Sequence, residues 1–391
     1  MKEILKDWLF LLGREFAHFW RYNIIKIIFL GAPLIYGILF GYVYQKGKVT
    51  DLPIVLVDQD HSPTSAKVID MLDESEVINV VKIKDQEIDL KKEMLDNEAD
   101  AIVIIPENFE ADILQKRMPE INVKMNTANI LTANFSSKAL QMVFGTLNAG
   151  IEIEALKKQG INQEIASHLY EPFKVNYIKY YNKSSNYMYF LWPGMLGTIL
   201  QQVLLIALAL SFAREFEHRT FFKNFYPKTH NLLAAILIKC IPYWVLSSLV
   251  WASFVGMFYF FKLPIPENMV AINLLGMLFI VAVTFLGVLI SVALPTQLSA
   301  TDVLMIVATP SFVISGFTWP LSQMPTFVQN IANCIPLTHF LNGFRKAYML
   351  NASLADVQPQ INALLIMIGV FLTLALSLLY TKVYILRNAK I

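Results

Sequence analysis

Hydrophobic and polar positions change rhythm twice along this chain. Leu5, Trp8, Leu12, Phe16 and Phe19 recur at helical spacing, while Glu3, Asp7, Arg14, His18 and Arg21 line another face. That pattern predicts an amphipathic interfacial helix. An apolar run, Ile24 to Tyr44, follows without a small-residue cleavage site and is read as a retained first membrane span. Lys26 is placed to snorkel from its end, and Pro33 is expected to kink it.

From Leu52 the rhythm becomes short apolar runs separated by polar helical stretches, the signature of an α/β domain. Strands are expected at Pro53–Val57, Val77–Ile83, Asp100–Ile105, Ile121–Met125 and Phe173–Tyr180. Ser62 and Pro63 supply an N-cap and a first-turn proline for a helix to about Asp73. Further helices are expected at Gln86–Asn97, Glu107–Lys116 and Ile130–Gln159, the last long enough to serve as a stalk.

From Met188 the long apolar runs return, at Met188–Phe212, Leu232–Phe261, Ala271–Leu294, Val303–Trp319 and Ile361–Val383. With the first run they make six spans. Lys2, Lys6, Arg14 and Arg21 near the start, Arg214, Arg219, Lys223 and Lys228 in the loop after the second span, and Lys382, Arg387 and Lys390 at the end all fall on one side. The positive-inside rule makes that side cytoplasmic and puts the α/β domain outside. Tyr177, Tyr180, Tyr181, Tyr187, Tyr189 and Trp192 are expected at the outer interface, where the chain re-enters. The predicted organisation is an interfacial helix and first span (1–45), an external α/β domain (46–183) and a domain of spans two to six (184–391).

Composition agrees. Of the 391 residues, 55% are hydrophobic, and mean hydropathy is +0.49, too apolar for a soluble globular chain. A net charge of +2 with no basic stripe gives no footprint for nucleic acid. Cys240 and Cys334 are expected near opposite membrane faces, too far apart to be bridged. Asn134, Asn182 and Asn351 open N-x-S triplets, which matter only in a eukaryotic secretory pathway. Gly41 and Gly47-Lys48 fail as a phosphate-binding loop: the spacing is one residue too long, Val49 replaces the hydroxyl residue, and no strand precedes them. No cofactor is called for.

Two stretches carry candidate chemistry. Ile54 to Asp60 is an apolar strand ending in D-x-D, and Asp58 and Asp60 would suit an aspartyl nucleophile, its acid partner and a magnesium ion. The lysine and second acidic pair that such phosphatases need are missing after the later strands, so capping of a strand-to-helix turn is the favoured reading; His61 is read as a turn residue. The other stretch, Arg214 to Thr229, is a charged, aromatic-rich loop between two apolar runs, of the kind partners grip. Glu215 and Arg219 there have i,i+4 spacing for a weak helical pair.

After Pro310 the fifth run is interrupted by Gly316, Pro320, Pro325 and Pro336. A short span followed by broken half-helices is expected, with Arg345 and Lys346 at the outer interface. The broken segment either caps a translocation path or packs as a hairpin on the outer surface, and both readings stand.

In order and spacing, the motifs V-D-Q-D-H-S-P-T-S (Val57–Ser65), I-P-E-N-F (Ile105–Phe109), R-E-F-E-H-R-T (Arg214–Thr220) and K-C-I-P-Y (Lys239–Tyr243) form one set with S-G-F-T-W-P-L, M-P and P-L-T-H-F between Ser315 and Phe340. Over nearly the whole chain, this set resembles permease subunits of type-2 ATP-binding-cassette exporters that carry a large external domain after the first span. The resemblance implies an α-helical polytopic membrane protein with outer re-entrant helices and an inserted α/β domain, in a bacterial inner membrane. It implies a coupling helix at Arg214, Glu215, Glu217, Arg219 and Thr220, gripped by a separate cytoplasmic ATPase. Where the family usually has glycine before the threonine, this chain has Arg219, so a turn relying on glycine's freedom is open to change. A second permease copy or sister permease, membrane lipid and a periplasmic adaptor are the other implied partners, and amphiphilic or lipidic cargo or drugs the implied load. The chain itself is not expected to be an enzyme. The rival reading is a membrane-anchored sensor whose external domain takes a ligand.

Overall fold

The computed structural model describes residues 2–86, 89–170 and 178–388. They form two compact units, Lys48–Ile178 and the remainder. Helix α1 (Lys2–Arg21) leads into α2 (Asn23–Val43), which is long and apolar enough to cross a membrane. Within α2 a π-type turn, Ile27–Gly31, immediately precedes Pro33, so the local adjustment lies where the proline removes a backbone donor. The inward face of α1 differs from the amphipathic expectation. Leu11 and Phe19 are buried, but so is Glu15, with Arg14 and His18 half-buried beside it.

The inserted unit is built on a sheet of order β2-β1-β3-β4, from β1 (Leu52–Asp58), β2 (Ile78–Lys84), β3 (Ala101–Ile105) and β4 (Asn122–Met125). Strands β1, β2 and β3 are parallel, and β4 runs antiparallel to β3. Helix α3 (Pro63–Asp73) starts at a Ser62–Ser65 capping box. Helix α4 (Leu90–Asp96) begins four residues later than expected, because Asp89 accepts from Lys92 N at 3.1 Å and sets the cap. Helix α5 (Phe109–Leu114) is likewise shorter, bounded by left-handed Asn108 and Lys116. The long α6 (Ile130–Lys158) packs Leu140, Val143 and Leu147 onto the sheet face of Ile54, Leu56, Ala101 and Val103. Helix α7 (Gln163–Tyr170) was not anticipated. Most of the expected strand Phe173–Tyr180, and Tyr177 with it, lies outside the described residues.

The second unit resumes with α8 (Tyr187–Ala209), α9 (Ser211–Glu217), α10 (Leu232–Phe260), α11 (Met269–Ala293), α12 (Gln297–Ile314), α13 (Thr326–Asn333), α14 (Pro336–Met349) and α15 (Gln358–Asn388). Six stretches in the described residues are long and apolar enough to span a membrane: α2, α8 continued through α9, α10, α11, α12 and α15 to Ile385. The chain leaves and re-enters this unit at adjacent points, since Tyr187 N donates to Gly47 O at 2.6 Å. Trp192 is not an interface anchor. It is fully buried and donates to Gly37 O at 2.9 Å, and Gly37 and Gly41 let α2 lie close against Met257, Leu196 and Phe261.

Helix α12 corrects the expected fifth span. It begins at Gln297, where Thr296 caps it, and ends at Ile314, before Gly316 takes φ +80°. Ser299, Thr301 and Asp302 dilute its first turns, which is why apolarity alone placed the span too late. Beyond it, α13 and α14 are two separate short helices. Pro325 precedes the first and Pro336 opens the second, while Pro320 leads into a 3-10 turn. Phe340 of α14 stacks on Phe279 of α11 at 4.3 Å. Arg345 donates to Phe317 O, lies 4.2 Å from the Phe317 ring, and is held below its ordinary pKa by burial.

Candidate functional site: a buried charge cluster beneath the Arg214–Thr229 segment

The segment is less a loop than the sequence suggested. Arg214 to Glu217 continue helically as α9, and Phe221 and Phe225 beyond them are fully buried, so the aromatics anchor the segment rather than decorate it. At the break between α8 and α9, Ser291 of α11 accepts from Phe212 N (3.0 Å) and Ala213 N (2.9 Å) and donates to Ala209 O (3.0 Å). It thereby satisfies donors that the broken ladder strands, and fixes the direction in which α9 leaves. Lys382 of α15 caps the end of α11 through Val292 O at 2.9 Å and lies 4.0 Å from the Phe216 ring.

Glu215 is the centre of the site. Its Oε1 accepts from Lys239 Nζ of α10 at 2.9 Å and is also paired with Arg14 of α1, while Oε2 accepts from Thr220. Lys239 reaches Glu15 Oε2 at 2.9 Å as well. Glu15, Glu215 and Lys239 are all buried, and the Phe225 ring lies 4.6 Å from the Lys239 ammonium. Three segments distant in sequence are thus tied by ions that only one another can satisfy. Trp8 Nε1 adds a bond to Thr229 O at 3.1 Å, and His230 one to Asp7 at 3.2 Å.

The Glu215–Arg219 pairing does not form: Glu215 turns inward to Arg14, Lys239 and Thr220. Arg219 is exposed at φ +55°, outside the helical ladder. The turn therefore keeps a left-handed backbone without glycine. Glu217 is exposed and accepts from Gln297 N (3.0 Å) and Nε2 (2.9 Å), placing its carboxylate at the N-terminus of α12. Arg214 packs against Tyr22, 4.5 Å from the ring, and donates to its hydroxyl. The structure thus brings Arg214, Glu215 and Thr220 around one cluster and leaves Glu217 and Arg219 on the surface. Gly316, Pro320, Pro325, Pro336 and Arg345 belong to the separate α12–α14 region.

Sequence reasoning gave no role to Glu15 or Lys239. The available signal was Lys239 itself, an ionisable residue inside an apolar helical run, which requires a partner. His18, beside the cluster, is held below 6.5 chiefly by burial, with Arg214, Arg14 and Lys239 adding to the effect and Glu15 opposing it.

The D-x-D of the inserted unit has a structural job. Asp58 accepts from Asp60 N (3.1 Å), His61 N (3.2 Å) and Ser65 Oγ (2.8 Å), and Asp60 accepts from Glu110 N (3.0 Å). These bonds cap the strand-to-helix turn, as the favoured reading expected. Among the described residues no group of three or more His, Cys, Asp or Glu is arranged to hold a metal.

Residues 24–377 match the family described as ABC-2 family transporter protein. The chain is also similar to a probable multidrug ABC transporter permease, YbhR, of Escherichia coli K12, at 21% identity over 91% of this chain and 93% of the relative. It is similar to the inner membrane transport permease YhhJ of the same organism, at 23% identity over 85% and 88%. A third relative, the probable multidrug ABC transporter permease YbhS, is 24% identical over 52% of this chain and 54% of its own. Six membrane-length helices, a charged helix end locked beneath them and a family match across nearly the whole chain lead to one assignment: this protein belongs to the ABC-2 family of transporter proteins, as a multi-pass permease subunit of an ABC transporter.

Proposed function

We propose that this permease is the membrane half of an ATP-driven exporter. Two copies, or this chain with a sister permease, enclose a path, and separate cytoplasmic ATPase subunits drive it. The observation that carries this reading is the Glu15–Lys239–Glu215–Arg14 cluster. A push on the surface formed by Glu217, His218 and Arg219 meets no soft loop. It is passed through Glu215 to α1 and α10 together, because separating either from the cluster strands a buried charge. Arg214 and Thr220 hold the base of this coupling segment.

In this reading both termini and the coupling segment are cytoplasmic and residues 46–183 are external, in a bacterial inner membrane. Helices α13 and α14 re-enter from the outer side, with Arg345 fixing the turn at Phe317. The names of two relatives refer to multidrug transport, and an amphiphilic drug or lipidic molecule suits a path between apolar helices. The test is affinity purification of the full chain from its native membranes in mild detergent. An ATP-binding subunit is expected in stoichiometric amount, with ATPase activity stimulated by amphiphilic drugs. Recovery of a kinase or response protein in its place would favour the sensor reading.

A further inference from the structure

Beneath α1, beside the charge cluster, lies a cavity with room for about 660 Å³, reached by Phe10, Phe19, Tyr22 and Ile25 on one side. That volume is typical of sites for small ligands. Its charges do not balance: five lysines and arginines line it against two glutamates. Both glutamates are ion-paired with Lys239 and Arg14. No carboxylate among the described residues pairs with Arg214, Lys223 or Lys228; Arg214 lies on Tyr22, and Lys228 sits 3.9 Å from the Phe10 ring. Arg14 also lines the cavity, and its Nη1 and Glu15 Oε1 are both buried without a hydrogen-bond partner. Three cations gathered without a carboxylate favour an anion that accepts several hydrogen bonds at once.

The surroundings are apolar. Phe10 is more than half exposed, and Leu5 and Leu9 are exposed on the adjoining face of α1, so that an apolar exposed strip runs along the helix directly before the α2 span. We propose that this cavity binds the phosphate-bearing headgroup of a membrane amphiphile, with the apolar part of the ligand lying along that strip. Arg214, Lys223 and Lys228 neutralise the phosphate. The inference stands independently of the transport reading, because it requires only that α1 lie against a lipid surface.

The experiment uses the full chain in nanodiscs of phosphatidylcholine doped with phosphatidylglycerol, and counts retained lipids by native mass spectrometry. Phosphatidylglycerol is expected to be retained over phosphatidylcholine. Neutralising Arg214, Lys223 and Lys228 together with glutamine should lower its retention by about tenfold or more. The single Lys223→Glu variant, at an exposed position that does not threaten folding, should lower it in the same direction. Lys91→Gln/Lys92→Gln/Lys262→Gln, an equal loss of charge elsewhere, should not. Equal loss in that control, or undiminished retention in the cavity variants, overturns the proposal. If inorganic phosphate alone binds as tightly as phosphatidylglycerol, the ligand is a free phosphate and the lipid assignment falls. If the variants keep the lipid but lose a copurifying ATP-binding subunit, the cations belong to a protein contact, which also overturns it.

Discussion

Lys239 and Glu215 form an ion pair 2.9 Å long whose side chains are almost wholly removed from solvent. The lysine lies in an apolar helix and the glutamate at the end of another, so each depends on the other for most of what water would have supplied. Glu15 and Arg14 complete the cluster from α1 and hold the N-terminal helix to the same point.

Breaking this pair from one side should be costly. Lys239→Met leaves two buried glutamates short of a cation, at about 3–5 kcal/mol. Lys239→Met combined with Glu215→Leu should cost less than the sum of the single changes. Thermal unfolding of the four proteins of this double-mutant cycle in one detergent measures the difference, and strict additivity would deny the pair its energetic role.

Glu217→Lys should destabilise the fold only modestly, since what it loses is exposed: two bonds to Gln297, worth about 0.5–1.5 kcal/mol each, and a favourable charge at the N-terminus of α12, worth about 0.3–1 kcal/mol. It should nonetheless abolish drug-stimulated ATPase activity in the purified assembly, because the reversed charge meets the basic groove expected on the ATPase. Stimulation equal to wild type would remove Glu217 from the coupling surface.

Arg219 occupies a left-handed backbone that costs a residue with a β-carbon about 1–2 kcal/mol. Arg219→Gly should relieve it and, after allowing for glycine's freer unfolded chain, raise stability by up to about 1 kcal/mol. Coupling should be retained, because the backbone path does not change. A drop in unfolding midpoint would mean that the arginine side chain, not the turn, is what the position requires.

The depressed pKa of His18 predicts a pH dependence with a definite sign. Its folded-state value lies below the unfolded value of 6.5, so as pH falls the unfolded chain takes up the proton first. The stability contribution is complete above 6.5, declines below it, and is gone once pH passes the folded-state value. The unfolding midpoint should therefore fall as pH drops below about 6.5, and His18→Gln should reduce that fall. An identical profile for the two proteins would assign the whole effect to other groups.

Single cysteines at Lys91 and Lys223, on a background in which the buried Cys240 and the exposed Cys334 are both replaced, should label from opposite sides of intact cells. The distribution of lysine and arginine among the short segments motivates this. Labelling of Lys223→Cys by an impermeant reagent from outside would invert the proposed topology.

Periodicity and composition by themselves determined the six membrane-length helices, the inserted unit with strands that start within one residue of the expected Pro53, Val77, Asp100 and Ile121, and the capped start of α3, because these depend on local hydrophobic pattern and on side chains a few residues apart. Where a local signal was diluted, as by Ser299, Thr301 and Asp302 in α12, the boundary moved. What only the tertiary structure decided was the role of each charge. Glu215 and Glu217, two residues apart on one short helix, look alike in sequence, yet one is buried among Arg14, Lys239 and Thr220 while the other is exposed against Gln297. Apart from Thr220, their partners lie 24 to 201 positions away, and pairing at that distance is set by how whole helices pack, which no local pattern records.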